Sequence, residues 1–525
     1  MHLHYGDPAA NAQFFTDATE YGLCSLMLSL GIDSGTQSTK TIVLDSETGE
    51  ILASAQQAYG LIGGLPPGHL EQDPSVWVDA VDKTVRACLE QLGARKDEVA
   101  AIGVSGQQHG CVVLDDDDQP VRPAKLWCDT STVEQCEQFA AEFGGAKGLI
   151  DLAGNPILPG YTAPKLLWLK ENEPANFRRT KTVLLPHDYL NFWLTGEKKM
   201  EYGDASGTGW MNVRTRTWCE PILNFIDPSL NDKIPRPGSS RAPNGLLRDE
   251  LRKAWGLKQS PVVSAGGGDN MMGAIGTGNI TPGCVTASLG TSGTLYSYSA
   301  TPVIDPQGEI AAFCDSTDAW LPLVCTMNVT VATEQARALF NWDHATMEEQ
   351  IRRIPAGAEG LLFLPYLNGE RTPNLPNGSG VFHGLSARTM TPAHMARAVM
   401  EGATMGLAYG LNRFRELGVE PTEIRLTGGG SKSAIWRQIC ADVFGVSTVC
   451  LASAEGAALG AAIQAAATAR SAAGELGTLR ELSSRIAAPD ESTRAQPSGE
   501  AVALYAELLK RQTGLTRKLH AAGYL

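Results

Sequence analysis

The sequence predicts an α/β protein made of a duplicated domain, two lobes with a central cleft, and three observations predict it. Leu30-Gly-Ile-Asp33 runs into a Gly35-Thr36-x-Ser turn and returns as a second apolar strand to Asp45, a hairpin signal. Val285–Tyr296 repeats that design around Gly290-Thr291. Between them, Pro261–Ala265 leads through three glycines to Asp269, and Met271–Gly276 then opens like a helix. One anion-binding turn per copy suits a nucleotide held between two lobes.

Taken in order, residues 1–26 carry His2, His4 and several small residues without a period, and a strand starts at Met27. They read as a dispensable leader, with a genuine N-terminal arm as the equal alternative. In the first hairpin Asp33 faces the turn and suits Mg2+, usually through water. No Walker A pattern is present anywhere. Val99–Leu114 reads as strand, polar turn, strand, and Gln107, Gln108 and His109 gather hydrogen-bonding groups between glycines, as a polyhydroxylated ligand wants. Asp115–Asp118 is an exposed acidic loop. Lys125-Leu-Trp127-Cys-Asp129 sets an aromatic beside a carboxylate; a face under sugar C–H groups and plain core packing stay open. Gly160–Asn172 is a helix with Pro164 in its first turn.

At the end of its glycine turn, Asp269 suits a general base taking a proton from an alcohol, with a plain helix cap as the other reading. The following helix N-terminus is expected to favour its ionised form by up to about 1 kcal/mol. Ile424–Thr427 is a strand, followed by Gly428-Gly429-Gly430, Ser433 and a helix over Ala434–Phe444, a backbone suited to run beside an adenosine. Glu455–Ala462 opens a helix with small residues on one face, for close approach to a sheet. The Ala-rich tract to Ala473 and a final helix from Ala501 to about Leu519 read as structural. The expected division is a sugar-binding lobe over 27–277, a nucleotide-binding lobe over 278–485 and a helical tail over 486–525.

Composition bounds the function. Of 525 residues 43% are hydrophobic and 19% charged, the profile of a soluble globular protein. The net charge of −14, with no basic stripe, argues against a nucleic-acid partner. Eleven cysteines are scattered without C-x-x-C or zinc spacing, so they read as thiols of a reducing cytoplasm. No Lys or Arg occurs before Lys40, so a secretory n-region lacks its charge, and apolar Leu23–Ile32 is too short to span a bilayer. The expectation is a cytoplasmic protein with no membrane partner. A homodimer is allowed by a sequence otherwise silent on oligomeric state.

With these residues laid out, the chain resembles the FGGY carbohydrate kinases over about Met27 to Gln464. The family's first signature is matched by Gly160-x-Thr162-x-x-Lys165-Leu166-x-Trp168-Leu169-x-Glu171-Asn172. Its second is matched by Gly380-x-Phe382-x-Gly384-Leu385, eight residues, then His394-Met395-x-x-Ala398-Val399-Met400-Glu401. Gly106–Gly110, Leu185–Tyr189 with Leu194–Glu197, and Gly369–Pro373 look like the branch that acts on D-xylulose.

The resemblance implies the actin-like, ribonuclease-H-like ATPase fold and the reaction ATP plus D-xylulose giving ADP plus D-xylulose 5-phosphate. It implies Asp269 as the base and Asp33 as the magnesium-side carboxylate. Gln108 and His109, with Gln107, Asn270 and Trp127 around them, take the sugar. Thr36, Gln37, Lys40, Gly290, Thr291, Gly428–Gly430 and Ser433 take ATP. Many relatives carry Asn-Asp-x-Arg after the tryptophan; here Cys128-Asp129-Thr130-Ser131 stands instead, so the contacts of that Asn and Arg are not carried over. The alternatives are a kinase for ribulose, gluconate or glycerol, and a non-catalytic sugar-sensing actin-like ATPase.

Overall fold

The computed structural model describes residues 28–453, 455–475 and 478–525, which divide into two compact units. The expected leader over residues 1–26 lies outside the described residues.

The first unit is built on a sheet whose centre is β1 (Leu28–Ser34). It pairs antiparallel with β2 (Ser38–Asp45), which pairs in turn with β3 (Ile51–Ala58). Helix α1 (Pro74–Leu92) starts where Asp73 accepts the Ser75 N–H at 2.9 Å, and it buries Trp77, Val81, Val85 and Cys88. On the other side of β1 lies parallel β4 (Val99–Gly106), whose eight residues are all buried. Its continuous apolar run without alternation is what a strand covered on two faces requires.

Further along come α2 (Thr162–Asn172), α3 (Pro186–Thr195), β5 (Gly245–Leu246), β6 (Val262–Val263), β7 (Gly267–Gly268) and α4 (Asp269–Gly276). The sheet order is β5-β6-β4-β1-β2-β3, with β7 also on β4. A second apolar cluster, including Phe139, Leu166, Leu169, Trp210 and Ile222, holds α2 and the segments around it.

The second unit repeats the wiring. Strand β8 (Cys284–Leu289) is antiparallel to β9 (Gly293–Ser297), which pairs with β10 (Trp320–Thr326). After the long helix α5 (Pro392–Glu416), β11 (Glu423–Thr427) lies parallel to β8, as β4 does to β1. Helix α6 (Ala434–Phe444) leads to β12 (Thr448–Leu451), parallel to β11. The duplicated α/β architecture is thus present in the backbone: a hairpin strand with a parallel partner that ends in a glycine turn.

The boundaries differ from the expected ones. Helices α7 (Gly456–Ala472) and α8 (Thr478–Ile486) belong to the first unit, not to a lobe ending at 485. Packing decides this. A Cβ on Gly31 of β1 would stand 2.0 Å from the Ala458 carbonyl oxygen, and one on Gly103 of β4 would stand 2.1 Å from that of Ala461. The small-residue stripe of α7 therefore lies backbone to backbone on glycines of the first sheet. In α8, Ser483 Oγ donates to the Ile275 carbonyl at 2.7 Å. The residues after 487 are not a separate tail. Strand β13 (Pro489–Ala495) joins β12, and α9 (Gly499–Ala521) sends Tyr505 Oη to Glu401 Oε1 at 2.6 Å in the second unit.

Candidate active site

Asp269 stands where β7 ends and α4 begins, as the first residue of the helix. Gly266, at φ 70°, makes the preceding turn in the left-handed region that glycine tolerates. The turn is held from α7: Gln464 Oε1 accepts from Gly266 N–H and Ser264 Oγ, each at 2.8 Å, and its Nε2 donates to the Gly266 carbonyl at 3.2 Å. Asp269 Oδ1 accepts from Asn270 N–H at 2.9 Å and Asn270 Nδ2 at 3.1 Å. Asn270 Nδ2 also donates to Gln108 Oε1 at 2.8 Å, which ties the glycine turn to the polar turn. Gln108 Nε2 is buried with no protein partner among the described residues.

Asp269 is exposed to solvent. Even so, lost hydration, and then the like charge of Asp33, push its carboxyl up to about 7. The N–H donors at the helix N-terminus act in favour of the anion, and these two effects outweigh them.

Asp33 is the next-to-last residue of β1, and Ser105 Oγ donates to its Oδ1 at 2.8 Å. Burial raises its carboxyl above the ordinary range; the Ser105 bond opposes this and the charge of Glu455 adds to it. Lys40 is committed to Glu455, with Nζ to Oε2 at 2.5 Å.

The structure engages several predicted ligands inside the protein. Gln107 donates from Nε2 to Gln72 Oε1 at 3.1 Å and accepts at Oε1 from the Thr36 hydroxyl at 3.2 Å. That hydroxyl in turn accepts from Trp127 Nε1 at 3.0 Å. Thr36 thus joins the first hairpin to Trp127, which is 36% exposed and is not a core residue. Gln37 is exposed.

Gln72 is fully buried, and its Nε2 donates to the Thr36 carbonyl at 2.6 Å. Nothing in its sequence neighbourhood marks that role. His69, Glu71 and Asp129 stand together like metal ligands, but the buried Lys125 ammonium takes the central position, 3.1, 3.2 and 3.1 Å from them. In the departing segment, Asp129 accepts the Leu70 and Ser131 N–H groups at 2.9 and 3.0 Å, so it is occupied structurally.

His109 occupies the left-handed region at φ 63°. Its ring lies 5.0 Å from that of Tyr161 and 5.6 Å from that of Phe313. Its carbonyl accepts from Lys165 Nζ at 2.7 Å, and its N–H donates to the Asp204 carboxylate. Asp204 Oδ2 is 2.7 Å from His187 Nδ1, and His187 Nε2 is 3.0 Å from Asp188 Oδ1. The carboxylates on either side raise the His187 imidazole well above its usual range, against the effect of burial. Sequence reasoning missed Asp204, and it singled out Leu185–Tyr189 without giving His187 a role. The available signal was a charged residue, Lys165, directly before the apolar run Leu166–Leu169.

In the second unit, Gly428 and Gly429 are exposed after β11, with Gly428 at φ 82° and open space where a Cβ of Gly429 would be. Gly430 is buried against Leu289 and Trp436. The Ser433 hydroxyl caps α6, accepting the Trp436 N–H at 3.3 Å. Gly290 and Thr291 form the β8–β9 turn, with Thr291 exposed; their carbonyls accept Thr330 N–H at 2.9 Å and Val329 N–H at 3.1 Å.

Residues 28–276 and 285–469 match the N-terminal and C-terminal domains of the FGGY family of carbohydrate kinases. A xylulose kinase of Haemophilus influenzae is 42% identical over 488 residues, 92% of this chain and 98% of that protein. Two solved structures from Lactobacillus acidophilus are each 28% identical and cover 94% of this chain and 98% of their own. A ligand-bound xylulose kinase superposes with a TM-score of 0.87 and a gluconate kinase with 0.86. No helix among the described residues is long and apolar enough to cross a membrane. On sequence and backbone alike, the chain belongs to the FGGY family of carbohydrate kinases.

Proposed function

We propose that this protein transfers the γ-phosphoryl group of ATP to D-xylulose, giving D-xylulose 5-phosphate and ADP. The observation that carries the choice of sugar is the 42% identity to a xylulose kinase across 98% of that protein's length. Asp269 is the base: the attacking hydroxyl gives its proton to the carboxylate as the new O–P bond forms and the bond from phosphorus to ADP breaks. A carboxyl raised to about 7 is a better proton acceptor than an ordinary aspartate and is still largely ionised above neutrality. Asn270 and Gln108 orient it, and the unpartnered Gln108 Nε2 is a donor that a sugar oxygen satisfies.

Gluconate is the reading to separate, because a gluconate kinase matches the fold as closely. The turn offers an amide and an imidazole with Asp33, Asp204 and Asp269 close by, a setting that suits a neutral ketose better than a carboxylate. The charge of Glu455 raises Asp33 and that of Asp33 raises Asp269, a setting that fits a hard, oxygen-ligated cation, with Asp33 the residue to hold Mg2+. Bound with the nucleotide, magnesium neutralises phosphate charge. Gly290, Thr291 and the Gly428–Gly429 backbone serve the nucleotide in this reading.

The test is ADP release with D-xylulose, D-ribulose, gluconate and glycerol. D-Xylulose is expected to give the highest kcat/KM, by about tenfold or more, since one missing contact is worth that much. A higher value with another sugar refutes the assignment. ADP release at the same rate without sugar favours the switch ATPase.

A further inference from the structure

His109 is held on every side. A non-glycine residue in the left-handed region is strained and persists where its surroundings over-determine it. Here they do. Gly106 and Gly110 flank the turn and press on α3: a Cβ on Gly106 would stand 2.7 Å from His187 Cβ, and one on Gly110 2.4 Å from Pro186 Cγ. The imidazole rests against Gly207, where a Cβ would come within 2.2 Å of His109 Cε1. At one end of the residue, Lys165 Nζ and the Thr162 hydroxyl donate to the His109 carbonyl at 2.7 and 3.2 Å. At the other end, the His109 N–H donates to Asp204.

Lys165 is an unusual residue to bury. It is 1% exposed, and among the described residues its ammonium bonds only two carbonyls, His109 and Gly160 at 2.7 Å each, with no ion pair. An ammonium without a carboxylate is costly to bury, and a methionine of similar length would fill the same space. Burial accordingly pulls the Lys165 amine down to about 7. Asp204 is also buried, and His187, clamped between Asp204 and Asp188, supplies its countercharge.

We propose that Lys165 and Asp204 are positioning residues for the sugar turn, gripping the carbonyl and the N–H of His109 so that its imidazole is presented to the sugar. This rests on the reading above, in which His109 meets the sugar. Neither residue touches the reacting atoms. Their influence runs through the set of the His109 backbone and so falls on sugar affinity, leaving ATP alone.

A double-mutant cycle tests it, with D-xylulose and ATP kinetics on the full chain for wild type, His109→Ala, Lys165→Met and the pair. Lys165→Met is expected to raise the KM for D-xylulose about tenfold or more, lower kcat by less, and leave the KM for ATP within about twofold. In the His109→Ala background the same substitution should change the sugar KM by less than about threefold, because there is no imidazole left to misplace. Asp204→Asn, cycled against His109→Ala in the same way, should behave alike, and it carries the test should Lys165→Met fail to fold. Equal factors in the two backgrounds, or an ATP KM that rises with the sugar KM, overturn the positioning role while leaving the His109 contact standing. A sugar KM unchanged in His109→Ala alone refutes the contact itself.

Discussion

Gln464 and Gly266, 198 residues apart, exchange a pair of hydrogen bonds: the Gly266 N–H donates to Gln464 Oε1 at 2.8 Å, and Gln464 Nε2 donates to the Gly266 carbonyl at 3.2 Å. The turn that delivers Asp269 thereby depends on a side chain from α7. Gln464→Leu keeps the bulk and leaves these backbone groups buried without their partner, at about 1–3 kcal/mol for each unsatisfied group. We expect a melting temperature lower by several degrees. We also expect kcat to fall about tenfold or more, since small misplacements of reacting groups are expensive in rate. Calorimetry and steady-state kinetics on the same preparation check both.

Asp269→Asn preserves shape and removes the proton acceptor. The expected result is a KM for sugar and ATP within a few-fold of wild type, with kcat lower by about 10²–10⁴. A variant that keeps a tenth of wild-type kcat removes Asp269 from the role of base.

The raised carboxyl of Asp269 sets an acid limb. Because the base works ionised, kcat/KM should fall as pH drops through about 7, a limb well above that of an ordinary aspartate. Stability runs the other way. Between the ordinary value of 3.8 and about 7 the unfolded chain has released this proton while the folded chain retains it, so folding weakens as pH rises. Asp269→Asn is therefore expected to melt higher than wild type at pH 8, with the difference vanishing toward pH 4. Thermal melts of the two proteins across that range decide it.

Thr36 separates two roles for the first hairpin. Its hydroxyl bridges Trp127 Nε1 and Gln107 Oε1. Thr36→Val is nearly isosteric and removes both bonds, so Trp127 should lose its set position. The sugar KM is expected to rise by about three- to tenfold, the range of one or two net hydrogen bonds, with the ATP KM moving less. A change confined to the ATP KM would return Thr36 to the phosphate loop.

Gly460 tests the seam between α7 and α4. A Cβ there would stand 1.7 Å from the Met272 carbonyl oxygen, and its partner Gly276 is as tight against Gly456, at 1.8 Å. Gly460→Ala forces the helices apart and should destabilise the first unit by about 1–3 kcal/mol or more, despite the better helix propensity of alanine. Gly499, which begins α9 with open space around it, is the control, where alanine should be harmless. Melting of the two variants side by side is the measurement.

The sequence by itself determined the local pieces. Asp33 before a Gly-Thr turn, Asp269 after three glycines and Gln108-His109 between glycines are legible because turn chemistry and strand periodicity act over a few residues. The repeat of the hairpin was legible for the same reason, and with it the duplicated architecture.

Tertiary structure decided which long-range partners those pieces find. It assigned α7 to the first unit, because a stripe of alanines and glycines fits any flat backbone, and only the glycines at 31, 103 and 276 say which one. It turned Gln107 inward to Gln72 and Thr36, and it committed Lys40 to Glu455. At Asp269 it set against the helix terminus, which is local, the lost hydration and the Asp33 charge, which depend on groups distant in sequence. Lys165 and Asp204 meet at His109 only after three separate segments fold together, and hydrogen bonds of that kind leave no periodicity to read.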